Sequence, residues 1–440
     1  MKRLVSPLVF ALLFVVPCRA AEPQPTMESA VALLRPYDGP ASPGVDVSTL
    51  DRKVMTGYQG WFNAEGDGSR RGFRHYASRG RFEPGQCSID LWPDLSELGD
   101  DEKYPTSFRH ADGRVAQVFS SRNEATVLRH FRWMREYGID GAFVQRFAVE
   151  TSSPVPLDHC NRVLMHCREG ANREGRAYAV MYDLSGLKAG GIEQVKADWK
   201  TLADRMRLGR DDRDHAYLRH RGKPVVAVWG VGFNDHRAYT LAECADLVRF
   251  LKVDPEYGGC TVMLGIPTGW RTLTRDSIRD PALYDVLKLA DVLSPWTVGR
   301  YATPADVARH GRDVWQPDLA WCREHKLDYL PVAFPGFSWH NLRPESPSNQ
   351  IPRLQGRFLW SQYLAAREAG STMLYQAMFD EVDEGTAIFK CTNDPPVGAS
   401  PFIDYEGLPS DFYLRLTGEG RKLLRGEIEP SSDVPFARQM

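Results

Sequence analysis

Hydrophobic and polar positions follow a pattern that recurs eight times along the chain. Each repeat begins with a short run rich in β-branched and aromatic residues and ends in a segment whose apolar positions lie three or four residues apart. The first pattern predicts a buried strand and the second an amphipathic helix. The eight predicted strands cover residues 53–62, 139–147, 177–184, 224–230, 260–266, 290–296, 328–336 and 371–379.

Helices are predicted between these strands. In residues 125–137, for example, Val127, Phe131 and Met134 share one face. Strands that are almost continuously apolar are buried on both faces, which indicates a parallel sheet covered by helices. Eight such units predict an α/β fold of the (β/α)8 TIM barrel type. The other predicted helices cover residues 191–206, 240–252, 303–326 and 352–369.

The barrel is predicted to occupy residues 51–395, with a long loop excursion after the first strand, residues 63–124. Residues 21–50 are rich in Pro, Ala and Ser and are interpreted as a linker. Residues 396–440 are expected to form a C-terminal extension that packs on the barrel. Long loops after barrel strands usually shape the substrate cleft, so the excursion is a candidate source of binding residues.

Residues 1–20 have the pattern of a signal peptide. Lys2 and Arg3 precede an apolar run, residues 8–16, that is too short to span a bilayer, and small residues follow near Ala20. This pattern predicts export and cleavage, and therefore a periplasmic or secreted protein. No later stretch is apolar for long enough to cross a membrane, so no span is expected in the mature chain.

Composition and charge disfavour some classes of binding partner and cofactor. The chain has 42% hydrophobic residues, 55 Lys plus Arg and 57 Asp plus Glu, and a net charge of −2. This balance disfavours a nucleic-acid partner held by a basic face. Seven cysteines after residue 20 are too sparse for a disulfide scaffold, although one or two bridges are allowed. The pairs His159-Cys160 and His166-Cys167 do not supply four ligands, so no metal or other cofactor is expected.

An acidic cluster directly follows the eighth predicted strand. Asp380, Glu381, Asp383 and Glu384 lie within five residues, at the end of the strand where barrels carry their active sites. Glycoside hydrolysis needs two carboxyl groups with different pKa values, and mutual repulsion can separate them. Glu381 and Glu384 are three residues apart, so a turn would direct both to the same side. A calcium loop, a helix N-terminus and a solvated turn are the alternative interpretations.

The segment from Asp380 to Thr386, DEVDEGT, resembles the E-x-x-E-G-T signature of glycoside hydrolase family 99, the endo-α-mannosidase and endo-α-mannanase group, and of bacterial family 71/99-like proteins. The motifs GYQGWF at 57–62, WPD at 92–94 and PGFSW at 335–339 support the resemblance, which covers most of residues 50–395. It implies a (β/α)8 barrel that hydrolyses α-linked glycans with retention and without a metal.

By this resemblance Glu384 is the general acid and base, and Glu381 is its partner. The partner would either take the proton of the sugar 2-hydroxyl, giving a 1,2-anhydro intermediate, or attack the anomeric carbon itself. The sequence does not distinguish these routes. Val382 and Asp383 replace the family's usual aromatic-His pair, a departure that concerns the sugar specificity.

Sugar-binding candidates follow from the strand ends, where aromatic and polar residues recur. Arg146 could hold a site carboxylate ionised or form only a salt bridge, and Asp183 could orient a side chain or cap a helix. Packing in the core or the loops is the alternative for each aromatic. The candidates are Tyr58, Trp61, His75, Trp92, Arg146, Tyr182, Asp183, Trp229, Trp296, Trp339, His340 and Asp383.

Three functions remain open from the sequence. The first is a secreted glycosidase that cleaves α-linked polysaccharides or oligosaccharides with Glu381 and Glu384. The second is a carbohydrate-binding barrel without turnover. The third is a metal-dependent hydrolase that uses the same acidic cluster, and it alone predicts inactivation by chelators.

Overall fold

A computed structural model describes residues 24–436. The predicted signal peptide, residues 1–20, lies outside the described residues and stays a prediction. Ten strands belong to the main sheet and two form a separate hairpin. The strands are β1 (Val54–Tyr58), β2 (Tyr104–Arg109), β3 (Val115–Val118), β4 (Gly141–Phe147), β5 (Ala177–Asp183), β6 (Arg219–His220), β7 (Lys223–Trp229), β8 (Thr261–Pro267), β9 (Val292–Trp296), β10 (Asp328–Tyr329), β11 (Val332–Ala333) and β12 (Leu374–Gln376).

The sheet is a closed parallel barrel, which confirms the predicted fold class. The strands pair in the order β10, β9, β8, β7, β5, β4, β1, β12 and β11. Strands β10 and β11 are two pieces of one chain segment, residues 328–333. The first piece pairs with β9 and the second with β12, so this segment joins the two ends of the sheet. Eight parallel positions result, as the eight predicted runs require.

Helices cover the outside of the barrel, and several of them begin at residues whose side chains cap the helix. The Asn123 side chain accepts a hydrogen bond from the Thr126 amide at the start of α2, and Thr240 and Glu243 form a capping box at the start of α5. The helices are α1 (Met27–Ala32), α2 (Glu124–Glu136), α3 (Pro154–Glu174), α4 (Ile192–Met206), α5 (Leu241–Val253), α6 (Ala282–Leu287), α7 (Pro304–His310), α8 (Gln316–Glu324), α9 (Arg357–Ala369) and α10 (Phe412–Arg425).

Successive residues of each strand point alternately into the barrel and toward the helices. Tyr375 of β12 points inward, where its ring stacks on Phe143 of β4 at 5.6 Å. The next residue, Gln376, accepts a hydrogen bond from the hydroxyl of Tyr363 on α9 at 2.9 Å. This alternation decides which residues at the strand ends can reach the mouth of the barrel.

The excursion between β1 and α2 carries the β2–β3 hairpin and covers part of the barrel mouth. Its interior is aromatic: the ring of Phe82 lies 4.8 Å from Phe108 and 5.9 Å from Trp92. The chain after residue 390 returns to this layer, where Ile403 donates a backbone hydrogen bond to Asp90. Helix α10 then contacts α9.

Residues 24–50 lie against the barrel exterior. Helix α1 contacts α3, and the Asn161 side chain donates a hydrogen bond to the Ala30 carbonyl at 2.8 Å. Tyr37 is buried. Within residues 24–436, no helix is long and apolar enough to cross a membrane.

The eighth strand is shorter than the predicted run 371–379. Regular pairing ends at Gln376, although Ala377 still donates to the Ala333 carbonyl of β11 and Phe379 to the Gly57 carbonyl of β1, each at 2.8 Å. The chain then pairs with itself, because Ile388 donates to the Met378 carbonyl and Phe389 to the Phe379 carbonyl, each at 3.0 Å. We call residues 377–389 the carboxylate loop. It holds all four acids of the cluster.

Candidate active site

The carboxylate loop is fixed to the end of β1 by Asp380. The two oxygens of Asp380 accept hydrogen bonds from the backbone amides of Gln59 at 2.8 Å and Gly60 at 2.9 Å. Burial raises the pKa of Asp380 to about 7 despite these two bonds. Asp380 therefore links the eighth strand end to the first and is not free to contact a ligand.

Glu381 lies in the floor of the barrel mouth and is 3% exposed. Oε1 accepts a hydrogen bond from the Gln59 side-chain amide at 2.5 Å, and Oε2 accepts one from the Thr386 hydroxyl at 2.6 Å. Burial, then the charges of Glu384 and Asp383, raise its pKa well above the usual value, while the two hydrogen bonds lower it. Its carboxyl group is held in one position.

Glu384 is partly exposed, unlike the other three acids. Its side chain makes no hydrogen bond or ion pair with any residue from 24 to 436, although its carbonyl accepts from the Ser338 amide at 3.0 Å. Burial and the nearby Asp383 raise the pKa of Glu384 to about 7, and Arg343 opposes them. A carboxyl group with this pKa can both give and take a proton near neutrality.

The turn that follows Glu384 requires glycine. Gly385 has a φ of +62°, and a Cβ there would lie 2.9 Å from backbone atoms of Ser338. Glycine thus lets the loop pass close to residues 337–341, and it places Thr386 where its hydroxyl reaches Glu381. The E-G-T part of the motif is explained by these contacts.

Tryptophans line the opposite side of the mouth. The rings of Trp229 and Trp296 meet edge to face at 5.8 Å, and Trp296 lies 6.0 Å from Tyr375. Both are partly exposed and stand at the ends of β7 and β9. Asp183 joins them at the end of β5, where burial raises the pKa of its carboxyl group. The structure therefore brings these three predicted residues to one mouth.

Trp61 and His75 form the wall beside the carboxylate loop. Their rings stack at 3.8 Å with 5° between the planes, and Phe147 stacks on Trp61 at 5.0 Å. These rings occupy aromatic surface that the predicted stacking of a sugar on Trp61 would need. His75 Nδ1 lies 3.4 Å from Oδ2 of Asp383, so the wall and the loop are in contact.

Trp339 and His340 lie on the loop after the seventh strand position. Asp90, in the excursion, accepts hydrogen bonds from the backbone amides of His340 and Asn341, each at 2.8 Å. The His340 ring is within 2.7 Å of the Ser346 carbonyl, so it stabilises its own loop. Trp339 is partly exposed beside Phe337.

Three predicted binding residues face the helices and not the mouth. The Tyr58 hydroxyl lies 2.9 Å from the His130 ring on α2. Arg146 forms two hydrogen bonds of 2.6 Å with Asp198 on α4, and the Tyr182 hydroxyl donates to the same carboxylate. Of the two alternatives for Arg146, the structure shows the salt bridge and not the pairing with a site carboxylate, because strand alternation turns the side chain outward.

Trp92 is also remote from the carboxylates. Its ring is buried among Phe82, Phe108 and Phe402 in the excursion, and Nε1 donates to the Gln117 carbonyl at 3.0 Å. It borders a separate polar cavity of about 280 Å³ that includes Asp94. Its placement supports the packing alternative.

Sequence reasoning missed two residues whose side chains point into the barrel. Each is the chain neighbour of a predicted residue that points outward. Gln59 follows Tyr58 and Gln145 precedes Arg146, and the Gln145 amide lies 3.3 Å from the Tyr375 hydroxyl. A strict two-residue alternation along each strand is the signal that would have selected them.

Unpartnered polar atoms surround the mouth. They are buried side-chain atoms without a hydrogen-bond partner in residues 24–436, and both donors and acceptors occur among them. Hydroxyl groups donate and accept, so a ligand rich in hydroxyls can satisfy both kinds. At the mouth these atoms are Gln59 Oε1, Gln145 Oε1, Asp383 Oδ1, Trp61 Nε1, Trp229 Nε1 and Trp339 Nε1.

The histidines and cysteines considered for a metal site or a disulfide have other contacts in the structure. Among the described residues, no three His, Cys, Asp or Glu side chains form a group that could hold a metal ion. His159 instead lies 2.9 Å from the Gly60 carbonyl and supports the loop after β1. The seven cysteines between residues 24 and 436 are unpaired.

Comparison with known proteins agrees with this architecture. The model of glycosyl hydrolase family 99 matches residues 299–425, which include the carboxylate loop. A glycoprotein endo-alpha-1,2-mannosidase-like protein of Danio rerio is 30% identical over 103 residues, 23% of each chain. The match with this curated relative thus spans about a quarter of its length.

Solved structures share the fold over most of the chain. The family 99 endo-alpha-mannosidase from Bacteroides thetaiotaomicron superposes with a TM-score of 0.61 at 18% identity, over 86% of this chain and 99% of that one. A glycoside hydrolase-like protein superposes with a TM-score of 0.52 at 16% identity, over 87% and 97%. The resemblance seen in the sequence is confirmed over residues 299–425, which match the family 99 model, and the α/β barrel has the same fold as the solved family 99 endo-alpha-mannosidase.

Proposed function

We propose that the protein is a secreted glycoside hydrolase that cleaves α-linked glycans, α-mannan-like or related, with retention of configuration. The observation that carries this proposal is the pair of glutamates in one loop with unlike surroundings. Glu381 is buried and held by two hydrogen bonds, whereas Glu384 is partly exposed and unbonded. Two carboxyl groups with separate roles are what glycoside hydrolysis requires.

Glu384 is the general acid in the first step. Its proton moves to the glycosidic oxygen as the bond from the anomeric carbon to that oxygen breaks, and the pKa of about 7 keeps this proton available near neutrality. In the second step the Glu384 carboxylate takes a proton from water, whose oxygen bonds to the anomeric carbon. The bond that breaks is the one formed in the first step, from the anomeric carbon either to the sugar 2-oxygen, which regains its proton from Glu381, or to the Glu381 oxygen.

Glu381 assists on the other side of the sugar. It either removes the 2-hydroxyl proton, so that this oxygen attacks the anomeric carbon, or forms the covalent bond itself. Both routes need the ionised form, which the hydrogen bonds from Gln59 and Thr386 favour and which burial and the neighbouring acids disfavour, so that the net pKa is raised. Both routes replace the leaving group from one face and admit water from the other, so two inversions give retention.

The substrate class follows from the mouth. Tryptophan rings and unpartnered donors and acceptors suit a neutral polyhydroxylated ligand. The Bacteroides enzyme named above is an endo-alpha-mannosidase, which supports testing α-mannans first. The location in the periplasm or outside the cell rests on the signal-peptide pattern in residues 1–20.

The experiment compares wild type with Glu384→Gln on a panel of α-mannans, α-glucans and aryl α-glycosides. Wild type is expected to release sugar with retained configuration, as followed by nuclear magnetic resonance, and to be unaffected by a chelator. Glu384→Gln is expected to keep binding and to lose turnover about 10²–10⁴-fold. Equal rates in the two proteins would contradict the assignment, and binding without any turnover by wild type would favour a carbohydrate-binding barrel.

A further inference from the structure

Asp383 lies between the two glutamates and contacts the wall formed by Trp61 and His75. The residue is 4% exposed, and its Oδ2 lies 3.4 Å from His75 Nδ1. The other oxygen, Oδ1, is buried without a hydrogen-bond partner in residues 24–436. Buried carboxyl oxygens normally have a donor, so Oδ1 indicates a donor supplied by a ligand.

A second unpartnered atom lies on the same wall. Trp61 Nε1 is buried without an acceptor among the described residues, and the Trp61 ring stacks on His75. The His75 ring is neutral at working pH because burial lowers its pKa to about 3. It therefore fixes Asp383 without an opposing charge, and one donor and one acceptor remain for a ligand.

Among the described residues, no cation is paired with the carboxyl groups around Asp383, and Arg343 lowers the pKa of Glu384 without forming an ion pair with it. Within residues 24–436, no lysine or arginine forms an ion pair with the acids of the carboxylate loop or with Asp90. Burial raises the pKa of Asp383 to about 8, and the charge of Asp90 adds to this effect. An anionic group brought here would lose its hydration without gaining a paired cation, and it would be repelled by each acid of the loop that is ionised.

We propose that Asp383, positioned by His75, determines specificity: Oδ1 accepts a hydroxyl hydrogen bond from an uncharged sugar unit beside the cleaved bond, and the site rejects a carboxylated or sulfated sugar there. This inference rests on the proposed function, because it places the sugar next to Glu384. It adds the charge class of the substrate and the residue that selects it.

The test measures binding by calorimetry at about pH 9, above the pKa of about 8 of Asp383, so that this carboxyl group is ionised. It uses the Glu384→Gln protein, so that turnover is not needed. The probes are a neutral α-linked manno-oligosaccharide and the same oligosaccharide oxidised to carboxylates at C6. The neutral probe is expected to bind at least about tenfold more tightly. Adding Asp383→Asn, which keeps the shape and an acceptor but removes the acid, should bring the two affinities within about threefold.

Two further variants complete the design. Asp383→Ala removes the acceptor and should weaken the neutral probe about tenfold, with the fold checked by circular dichroism. Asp212→Asn, an exposed residue in the loop after α4, removes one charge at the other end of the barrel and should leave both affinities unchanged.

Equal affinities of the two probes in the Glu384→Gln protein, or an unchanged preference after Asp383→Asn, would overturn the role of Asp383. If wild type still cleaves α-glycans in that case, the proposed function stands and only this inference fails. If the preference depends on Asp383 but wild type cleaves no glycan, the recognition role stands and the proposed hydrolase fails. Absence of binding by either probe also overturns the inference.

Discussion

Two glutamates three residues apart differ because their neighbours differ. Glu381 receives one hydrogen bond on each oxygen, from Gln59 and from Thr386. Glu384 receives none on its side chain from the described residues and is partly exposed. The pair therefore contains a fixed carboxyl group and one that is free to exchange a proton, although burial raises the pKa of both.

Thr386→Val tests the support of Glu381. Valine keeps the shape and removes the hydroxyl whose hydrogen bond lowers the pKa of Glu381. Without it the pKa rises further, so a smaller fraction of Glu381 is ionised at a given pH. We expect kcat/KM to fall about 10-fold or more, as for loss of a hydrogen bond to a charged group, and its acidic limb to move to higher pH.

Thr417→Val is the matched control for this prediction. Thr417 is also buried, and its hydroxyl donates to the Tyr413 carbonyl within α10, away from the carboxylate loop. This variant should leave the pH profile unchanged. A Thr386→Val protein with the wild-type acidic limb would show that the hydroxyl does not tune Glu381.

For single residues, the sequence correctly predicted that Glu381, Glu384, Asp183 and Trp229 lie at the mouth. It also selected Tyr58, Arg146 and Tyr182, whose side chains face the helices. The composition of a strand end indicates chemistry, whereas the facing of a side chain depends on the phase of the two-residue alternation. In the structure, the stacking of Tyr375 on Phe143 inside the barrel shows which residues of these strands point inward.

At the scale of elements, strands and helices are joined by buried polar contacts behind the mouth. Arg146 of β4 binds Asp198 of α4 through two hydrogen bonds and also donates to Asn161 of α3. The Arg146 side chain is 2% exposed and the Asp198 side chain 7%. Removing one partner of such a pair leaves a buried charge uncompensated.

Arg146→Ala is therefore expected to lower the free energy of unfolding by about 3–5 kcal/mol, as measured by denaturant unfolding. Because Arg146 faces the helices, the pH dependence of kcat in the folded variant should stay that of wild type. Arg81→Ala is the control: its ion pair with Glu83 is long, at 3.5 Å, and exposed, so stability should change little. An unaltered stability of Arg146→Ala would contradict this view of the pair.

Most elements were predictable because apolar periodicity is a local property. The predicted helix 352–369 and the observed α9 end at the same residue, and the predicted strand 177–184 covers β5. The eighth strand was predicted too long as a regular strand, because after Gln376 only single hydrogen bonds to β11 and β1 remain and the chain pairs within the carboxylate loop. Apolar character indicates burial and does not by itself indicate sheet pairing.

In the whole molecule, the closed barrel brings the ends of its strands around one mouth. The excursion and the C-terminal segment pack against each other beside this mouth. The number of repeats predicted the barrel. Contacts between distant segments were not predictable: His75 meets Asp383 across 308 residues, and Asp90 binds the loop at His340 across 250. Such pairs arise from how long loops pack, which no local pattern encodes.

In the proposed mechanism Glu384 gives its proton to the leaving group, so the rate should depend on how readily that group departs without a proton. Wild type and Glu384→Gln are compared on α-glycosides that differ only in the acidity of the departing alcohol, with kcat/KM as the measured quantity. We expect a loss of about 10²–10⁴-fold for an alkyl or sugar leaving group and little loss for dinitrophenolate, which departs without a proton. The same loss for both leaving groups would contradict the assignment of Glu384 as the general acid.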